Sequence, residues 1–394
     1  MGLWWLPWIL VLAVAIVRVV VALYNPPLID LAVYRQAGMD VMAGVSPYTQ
    51  RPTLPFTYPP FAALLATPLA VMPGHLSDLL MSVLSVLALG VSLMVIGRRL
   101  RLPSASVWWV VPICVALTPV WRTFELGQVN LLLLALIVVD HLAVSRRWRG
   151  FLTGVAAAIK LTPGVFMLYY LATRQWRAAV NSGLGFLATV VLGAVALPED
   201  SRRFWLVIIR DPSRVGNVAY PDNQALSGAL SRVFPWWTST GTWLLAVVVV
   251  GAGLALAVRL HARGSEVSAL ATVGLSGLAA SPVSWSHHWV WVIPALLWLL
   301  ANRRTGIAIA CFAALSVPPL DWAAWIPETA FAVTFGWFYP AIGAALIAAM
   351  LVRPRGPTEN TSTPGRGRVV VDPPARARQR TQLHHNGFSS SKLP

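Results

Sequence analysis

The chain has 394 residues, 57% of them hydrophobic and only 11% charged. A soluble domain carries roughly a quarter charged residues, so a soluble enzyme is excluded and an all-α polytopic membrane protein is expected. The formal net charge of +16 does not point to nucleic acid. It is shared between short loops and a tail carrying Arg353, Arg355, Arg366, Arg368, Arg376, Arg378, Arg380 and Lys392, a distribution that suits membrane orientation with anionic membrane lipids as partners.

In chain order, the first apolar stretch, Trp4 to Leu23, lacks a basic leader region and a small-residue cleavage site, so a retained span is expected. A membrane helix needs about 20 mostly apolar residues. Stretches meeting or approaching that length are 4–24, 78–97, 105–121, 126–145, 178–197, 242–260, 266–282, 287–301, 305–320 and 330–352. Basic clusters at Arg98–Arg101, Arg146–Arg149, Arg174–Arg177, Arg259–Arg263, Arg303–Arg304 and Arg353–Arg355 are expected on the cytoplasmic side, which places both termini inside. Segment 59–73 then reads as an outer interfacial or re-entrant piece. Segment 150–173, flanked by basic clusters and broken at Lys160-Leu161-Thr162-Pro163, reads as two half-helices dipping in from the cytoplasm. If either spans fully, ten spans become eleven or twelve. The tail 353–394, rich in Pro, Gly, Ser and Arg, is expected to be a disordered basic cytoplasmic extension, leaving 1–352 as the membrane domain.

This topology gathers the polar oddities on the outer face. Asp30 follows the first span in Ile29-Asp30-Leu31-Ala32-Val33-Tyr34-Arg35. It reads as an interfacial helix cap or as a carboxylate tuned for general-base work by low-dielectric surroundings. Tyr34 shares its helical face four residues on, and Arg35 is a candidate phosphate contact or headgroup marker. Thr57-Tyr58-Pro59-Pro60 is a rigid extended turn whose Tyr58 is a candidate lining residue. Arg122, Glu125, Gln128 and Asn130 place four polar groups within nine residues between apolar runs. Asn223 and Gln224 lie in the long loop 198–241, and His287 and His288 sit at a boundary between Trp285 and Trp289.

Adjacent histidines on one helix diverge by about 100°, so one shared metal is not expected of them. Cys114 and Cys311 offer no zinc spacing either. Lys160 is an intramembrane cation that this topology places far from the outer face.

Taken together these segments resemble glycosyltransferase family 87, the GT-C-type, polyprenyl-phosphate-mannose-dependent mannosyltransferases of actinobacteria. The pieces that carry the resemblance are Asp30-Leu31-Ala32-Val33-Tyr34, Pro55-Phe56-Thr57-Tyr58-Pro59-Pro60 and Gly127-Gln128-Val129-Asn130. They continue with Gly154 to Pro163, Asn223-Gln224-Ala225-Leu226 and Ser281 to His288, in the family's order. Two departures stand out: Ala225 follows the Gln where a Ser is expected, and Ser286 occupies a position that is often acidic.

The resemblance implies a GT-C fold with an active site built from extracytoplasmic loops. It implies a hexosyltransferase that moves mannose from polyprenyl-phosphate-mannose to a mannosylated glycolipid, typically in α-1,2 linkage, in phosphatidylinositol mannoside, lipomannan or lipoarabinomannan assembly. Asp30 matches the catalytic base of an inverting single displacement, with His287, His288 and nearby arginines on the phosphate; no cofactor or metal is required. The rivals are a GT-C transferase using a glucosyl or pentosyl donor and a lipid-linked sugar transporter.

Overall fold

The longest uninterrupted apolar stretches form the longest helices. In the computed structural model, residues 28–49, 54–234, 236–317, 330 and 334–352 are described. The expected span 4–24, the outer segment Asp321 to Glu328 and the tail 353–394 therefore lie outside the described residues.

Helix α1 (Ile29–Met42) packs against α2 (Pro60–Val71), and α3 (Gly74–Arg99) follows. Next come α4 (Ser104–Val115), α5 (Thr118–Leu126) and α6 (Asn130–Leu142), then the short pair α7 (Phe151–Ile159) and α8 (Gly164–Ala172). Helix α9 (Trp176–Ala196), α10 (Pro198–Leu206), α11 (Leu226–Val233), α12 (Ser239–Ala262) and α13 (Glu266–Ala280) precede a 3-10 turn at Ser286–Trp291. That turn runs into α14 (Val292–Ala301), followed by α15 (Thr305–Leu315) and α16 (Phe338–Leu351).

Three of these helices, α3, α9 and α12, are long and apolar enough to cross a membrane. At 1.5 Å per residue they measure about 30–40 Å. Arg98 and Arg99 end the first, and Arg259 and His261 end the third. The other expected spans are shorter apolar helices among the described residues, because Pro, Gly and Ser interrupt them. The clearest case is 105–126. There Pro119 starts a new helix after extended Leu117, and α4 and α5 meet at a 67° bend. Arg122 and Glu125, which follow the expected span 105–121, are thus on helix α5, and the turn is confined to Gly127–Val129.

Segment 150–173 forms the two expected half-helices, each of nine residues and about 13 Å. Helix α7 advances alongside α9 so closely that a Cβ at Gly154 would strike the Ser182 carbonyl. After the break, α8 leads back to Arg174 and the start of α9. The result is a hairpin whose foot is at the basic clusters and whose tip, Lys160–Pro163, is inside the bundle. Asp140 of α6 anchors the foot. Its Oδ2 accepts from Gly150 N (2.8 Å), Thr153 N (3.3 Å), Thr153 Oγ1 (2.6 Å) and Tyr170 OH (3.0 Å). A carboxylate on one helix thereby satisfies the free N–H groups at the start of another.

One large apolar core joins α3–α6, α13 and α14. A smaller one around Leu31, Tyr34, Tyr48, Phe56, Ala63 and Phe204 holds α1 and α2 together and supports the site.

Candidate active site

Asp30 and Tyr34 lie one helical turn apart on α1, so their side chains share a face. Facing them, α5 ends at Gly127 with φ 70°, a left-handed cap that favours glycine. A Cβ at Gly127 would come within 2.7 Å of Leu31 Cβ, so the same glycine lets the turn sit against α1. This delivers Gln128 to the carboxylate: its Nε2 donates to Asp30 Oδ2 at 2.8 Å. Gln128 Oε1 accepts from Tyr34 OH at 2.8 Å and from Tyr58 OH at 3.4 Å, and the two phenol oxygens are 3.0 Å apart. Tyr58 is held in turn by Tyr48, whose hydroxyl donates to the Tyr58 carbonyl at 2.8 Å.

Within this network Asp30 Oδ2 is engaged, and Oδ1 has no hydrogen-bond partner among the described residues. Burial raises the Asp30 pKa above its ordinary value of 3.8, while the Gln128 N–H and the Lys160 and Arg122 charges pull it back.

A second group lies behind Tyr58. The hairpin tip brings Lys160 Nζ to Asn130 Oδ1 (3.1 Å) and His288 Nε2 (2.9 Å), and 5.4 Å from the Tyr58 ring centroid. The expectation that Lys160 is remote from the site is corrected here. The two half-helices form with the break at Lys160–Pro163, and α7, packed closely on α9, brings its end to the floor of the site. Asn130 Nδ2 donates to the His287 carbonyl at 3.0 Å, and Thr123 Oγ1 reaches the same oxygen at 3.3 Å. These contacts fix the 3-10 turn, where the two imidazoles meet edge to face at 4.5 Å. Both histidines are buried. Neither ring nitrogen of His287, nor Nδ1 of His288, has a hydrogen-bond partner among the described residues.

The remaining candidates occupy other positions. Arg122 and Glu125 pair with each other at 2.9 Å on α5, both partly exposed. Arg35 turns away from Asp30: its Nε donates to Leu69 O (3.1 Å) and Nη2 to Met72 O (2.7 Å), tying α1 to the end of α2.

Asn223 and Gln224 are buried and committed to backbone. Asn223 Nδ2 donates to Val218 O (2.8 Å) and Pro282 O (3.0 Å), while its Oδ1 accepts from Ser284 N (2.9 Å) and Ala225 N (3.1 Å). Gln224 N donates to Ser284 O at 2.8 Å, and its Oε1 accepts from Tyr339 N at 3.4 Å. This pair therefore shapes the 281–288 segment rather than facing a substrate.

Asp222, absent from the sequence-derived set, is buried beside them, with Oδ1 accepting from Ser286 N at 3.3 Å. Burial pushes its carboxyl up to about 6. Its only sequence signal was an acid next to Asn223. Among the described residues, no group of three or more His, Cys, Asp and Glu side chains could hold a metal ion.

Residues 56–282 match glycosyltransferase family 87. A Mycobacterium tuberculosis protein named polyprenol-phosphate-mannose-dependent alpha-(1-2)-phosphatidylinositol mannoside mannosyltransferase is 33% identical over 294 residues, 68% of this chain and 68% of that protein. A Mycolicibacterium smegmatis protein of the same name is 32% identical over 339 residues, 77% of this chain and 76% of that one. A further Mycobacterium tuberculosis protein, named for a phosphatidylinositol pentamannoside acceptor, is 36% identical over 266 residues, covering 65% of this chain and 61% of its own length. No solved structure matches the chain.

Proposed function

The chain belongs to glycosyltransferase family 87, and from that premise we propose that it transfers mannose from polyprenyl-phosphate-mannose to a mannosylated glycolipid of the phosphatidylinositol mannoside type, forming an α-1,2 linkage. It is a multi-pass membrane protein. The site opens on the extracytoplasmic face, with both termini cytoplasmic; the distribution of basic clusters supports this orientation.

Asp30 is the general base. Its free Oδ1 takes the proton of the acceptor hydroxyl as that oxygen attacks the anomeric carbon. The bond from that carbon to the phosphate oxygen breaks, and its electron pair leaves with the polyprenyl phosphate. In a single displacement the base and the departing group lie on opposite faces of the sugar. Gln128 sets the carboxylate orientation through Oδ2, and Tyr34 and Tyr58 set the Gln128 amide. His287 and His288 present unpaired ring nitrogens suited to an oxyanion or a sugar hydroxyl.

The observation that carries the reading is Asp30 itself: a carboxylate of raised basicity with one oxygen braced by Gln128 and the other available. The test is transfer of radiolabelled mannose from polyprenyl-phosphate-mannose to phosphatidylinositol mannosides in membranes carrying wild type or Asp30→Asn at equal protein levels. Transfer by the wild type and its loss in the variant is expected. Equal transfer in both would remove Asp30 from the mechanism, and none in either would turn attention to other donor sugars.

A further inference from the structure

The 30 basic residues of the chain include only two lysines, Lys160 and Lys392. Every basic cluster in the loops uses arginine, and the one lysine before the tail is nine-tenths buried at the floor of the site. Its partners are neutral: the Asn130 amide oxygen and the His288 ring nitrogen. Among the described residues no carboxylate is in salt-bridge range of it, and an aromatic ring covers another side. Asp30 acts on it only through space, without a hydrogen bond or salt bridge. A buried cation with no directly paired anion is costly, and such a site is suited to an anion that arrives with the ligand. The unpaired nitrogens of His287 and His288 are adjacent and offer further contacts.

Beside this group runs a narrow crevice, part of it open to the outside. Asn130 and His288 stand at its polar end, and its walls include Leu133, Ile137, Phe166, Leu278 and Trp291. A polar head joined to an apolar channel matches an amphipathic phosphate rather than a water-soluble one.

Building on the mannosyltransferase reading, we propose that Lys160 binds the phosphate of the lipid-linked donor as a catalytic cation, with the crevice beside it taking the first isoprene units. The chemistry gives the lysine a reason to be there. The donor is a phosphodiester with one negative charge. When its bond to the anomeric carbon breaks, the electron pair stays on the phosphate, which leaves as a monoester with a second charge, while the acceptor proton passes to Asp30. Charge therefore grows beside Lys160 during the reaction, so its contact strengthens in the transition state. A compact ammonium suits a point contact of this kind better than a guanidinium fork.

The test compares full-length wild type, Lys160→Met and Lys160→Arg in proteoliposomes, measuring kinetics together with binding of polyprenyl phosphate, polyprenol and inorganic phosphate. Lys160→Met is expected to lower kcat/KM for the donor by about 100-fold or more. It should weaken polyprenyl phosphate binding at least tenfold and leave the acceptor KM near wild type. Polyprenol should bind both proteins weakly and alike, and inorganic phosphate more weakly than polyprenyl phosphate.

Unchanged polyprenyl phosphate binding in Lys160→Met overturns the proposal. Inorganic phosphate binding as tightly as the lipid overturns the assignment of the crevice. If the methionine variant does not accumulate, Lys160→Arg decides: a tenfold change in polyprenyl phosphate binding at constant acceptor KM supports a direct contact, and no change overturns it. Because binding is read without any sugar, a wild type that transferred no mannose would sink the donor reading and still leave Lys160 tested.

Discussion

Asp30 and Asp140 are both carboxylates on helices of the bundle, and the α7–α8 hairpin relates to both: its tip carries Lys160 toward the first, and its foot rests on the second. Asp140 is sealed from solvent, and its Oδ2 alone accepts four hydrogen bonds from the hairpin. Its Oδ1 is buried as well, out of reach of any substrate hydroxyl. Asp30 is only partly buried and has one protein donor, Gln128. A carboxylate offers about four lone-pair sites. One whose donors are all backbone and neighbouring hydroxyls fixes architecture, whereas one left partly unmet at a polar opening can take a proton. The two acids are the same residue type near apolar spans, and only their donors separate structure from chemistry.

The sharpest way to break this contrast is to neutralise each acid. Asp30→Asn should lower kcat by about 100- to 10,000-fold while leaving donor binding and melting temperature close to wild type. Loss of binding and folded yield together would make Asp30 a cap instead. Because burial raises its pKa, the acidic limb of the wild-type kcat profile should have its midpoint above the ordinary 3.8, the base being lost as it protonates.

Asp140→Ala should act the other way. It should destabilise the protein by about 2–5 kcal/mol as several buried donors lose their acceptor, with kcat per folded molecule nearly unchanged. A normal melting curve with reduced kcat would contradict the structural role.

A third acid refines the comparison through pH. The Asp222 carboxyl is pushed up to about 6 in the folded protein, above its ordinary 3.8, so the folded state binds its proton more tightly. Its favourable contribution is present below about pH 4 and is lost as pH rises through about 6, at most ~3 kcal/mol in all. The wild type should therefore lose thermal stability across that window relative to Asp222→Asn; parallel curves for the two proteins would exclude Asp222 as the source.

The smallest effect is expected at Tyr58→Phe, which removes one weak support of the Gln128 amide. A loss of about 1 kcal/mol corresponds to a roughly fivefold lower kcat, read in the same transfer assay. A loss as large as that of Asp30→Asn would put Tyr58 itself among the reacting groups.

Legibility from sequence followed the length of uninterrupted pattern. The stretches 78–97, 178–197 and 242–260 recur as α3, α9 and α12 because nothing inside them stops a helix. The expected boundary near residue 121 moved because Pro119 begins a helix and Gly127 ends it, so Arg122 and Glu125 became helical neighbours able to pair. Arg35 shows another limit: its place in the chain was plain, but its commitment to the Leu69 and Met72 carbonyls depends on where α2 ends in space.

Composition and pattern by themselves determined a helical membrane protein, the broken segment at Lys160–Pro163, and Asp30 and Tyr34 on one helical face. These are local properties, set by helix period, residue polarity and proline. Which polar groups meet was decided by tertiary structure alone. Gln128 reaches Asp30 across 98 residues, and Lys160 reaches His288 across 128. Such contacts depend on how closely helices pack and how deep a hairpin reaches, and no periodicity along the chain encodes either.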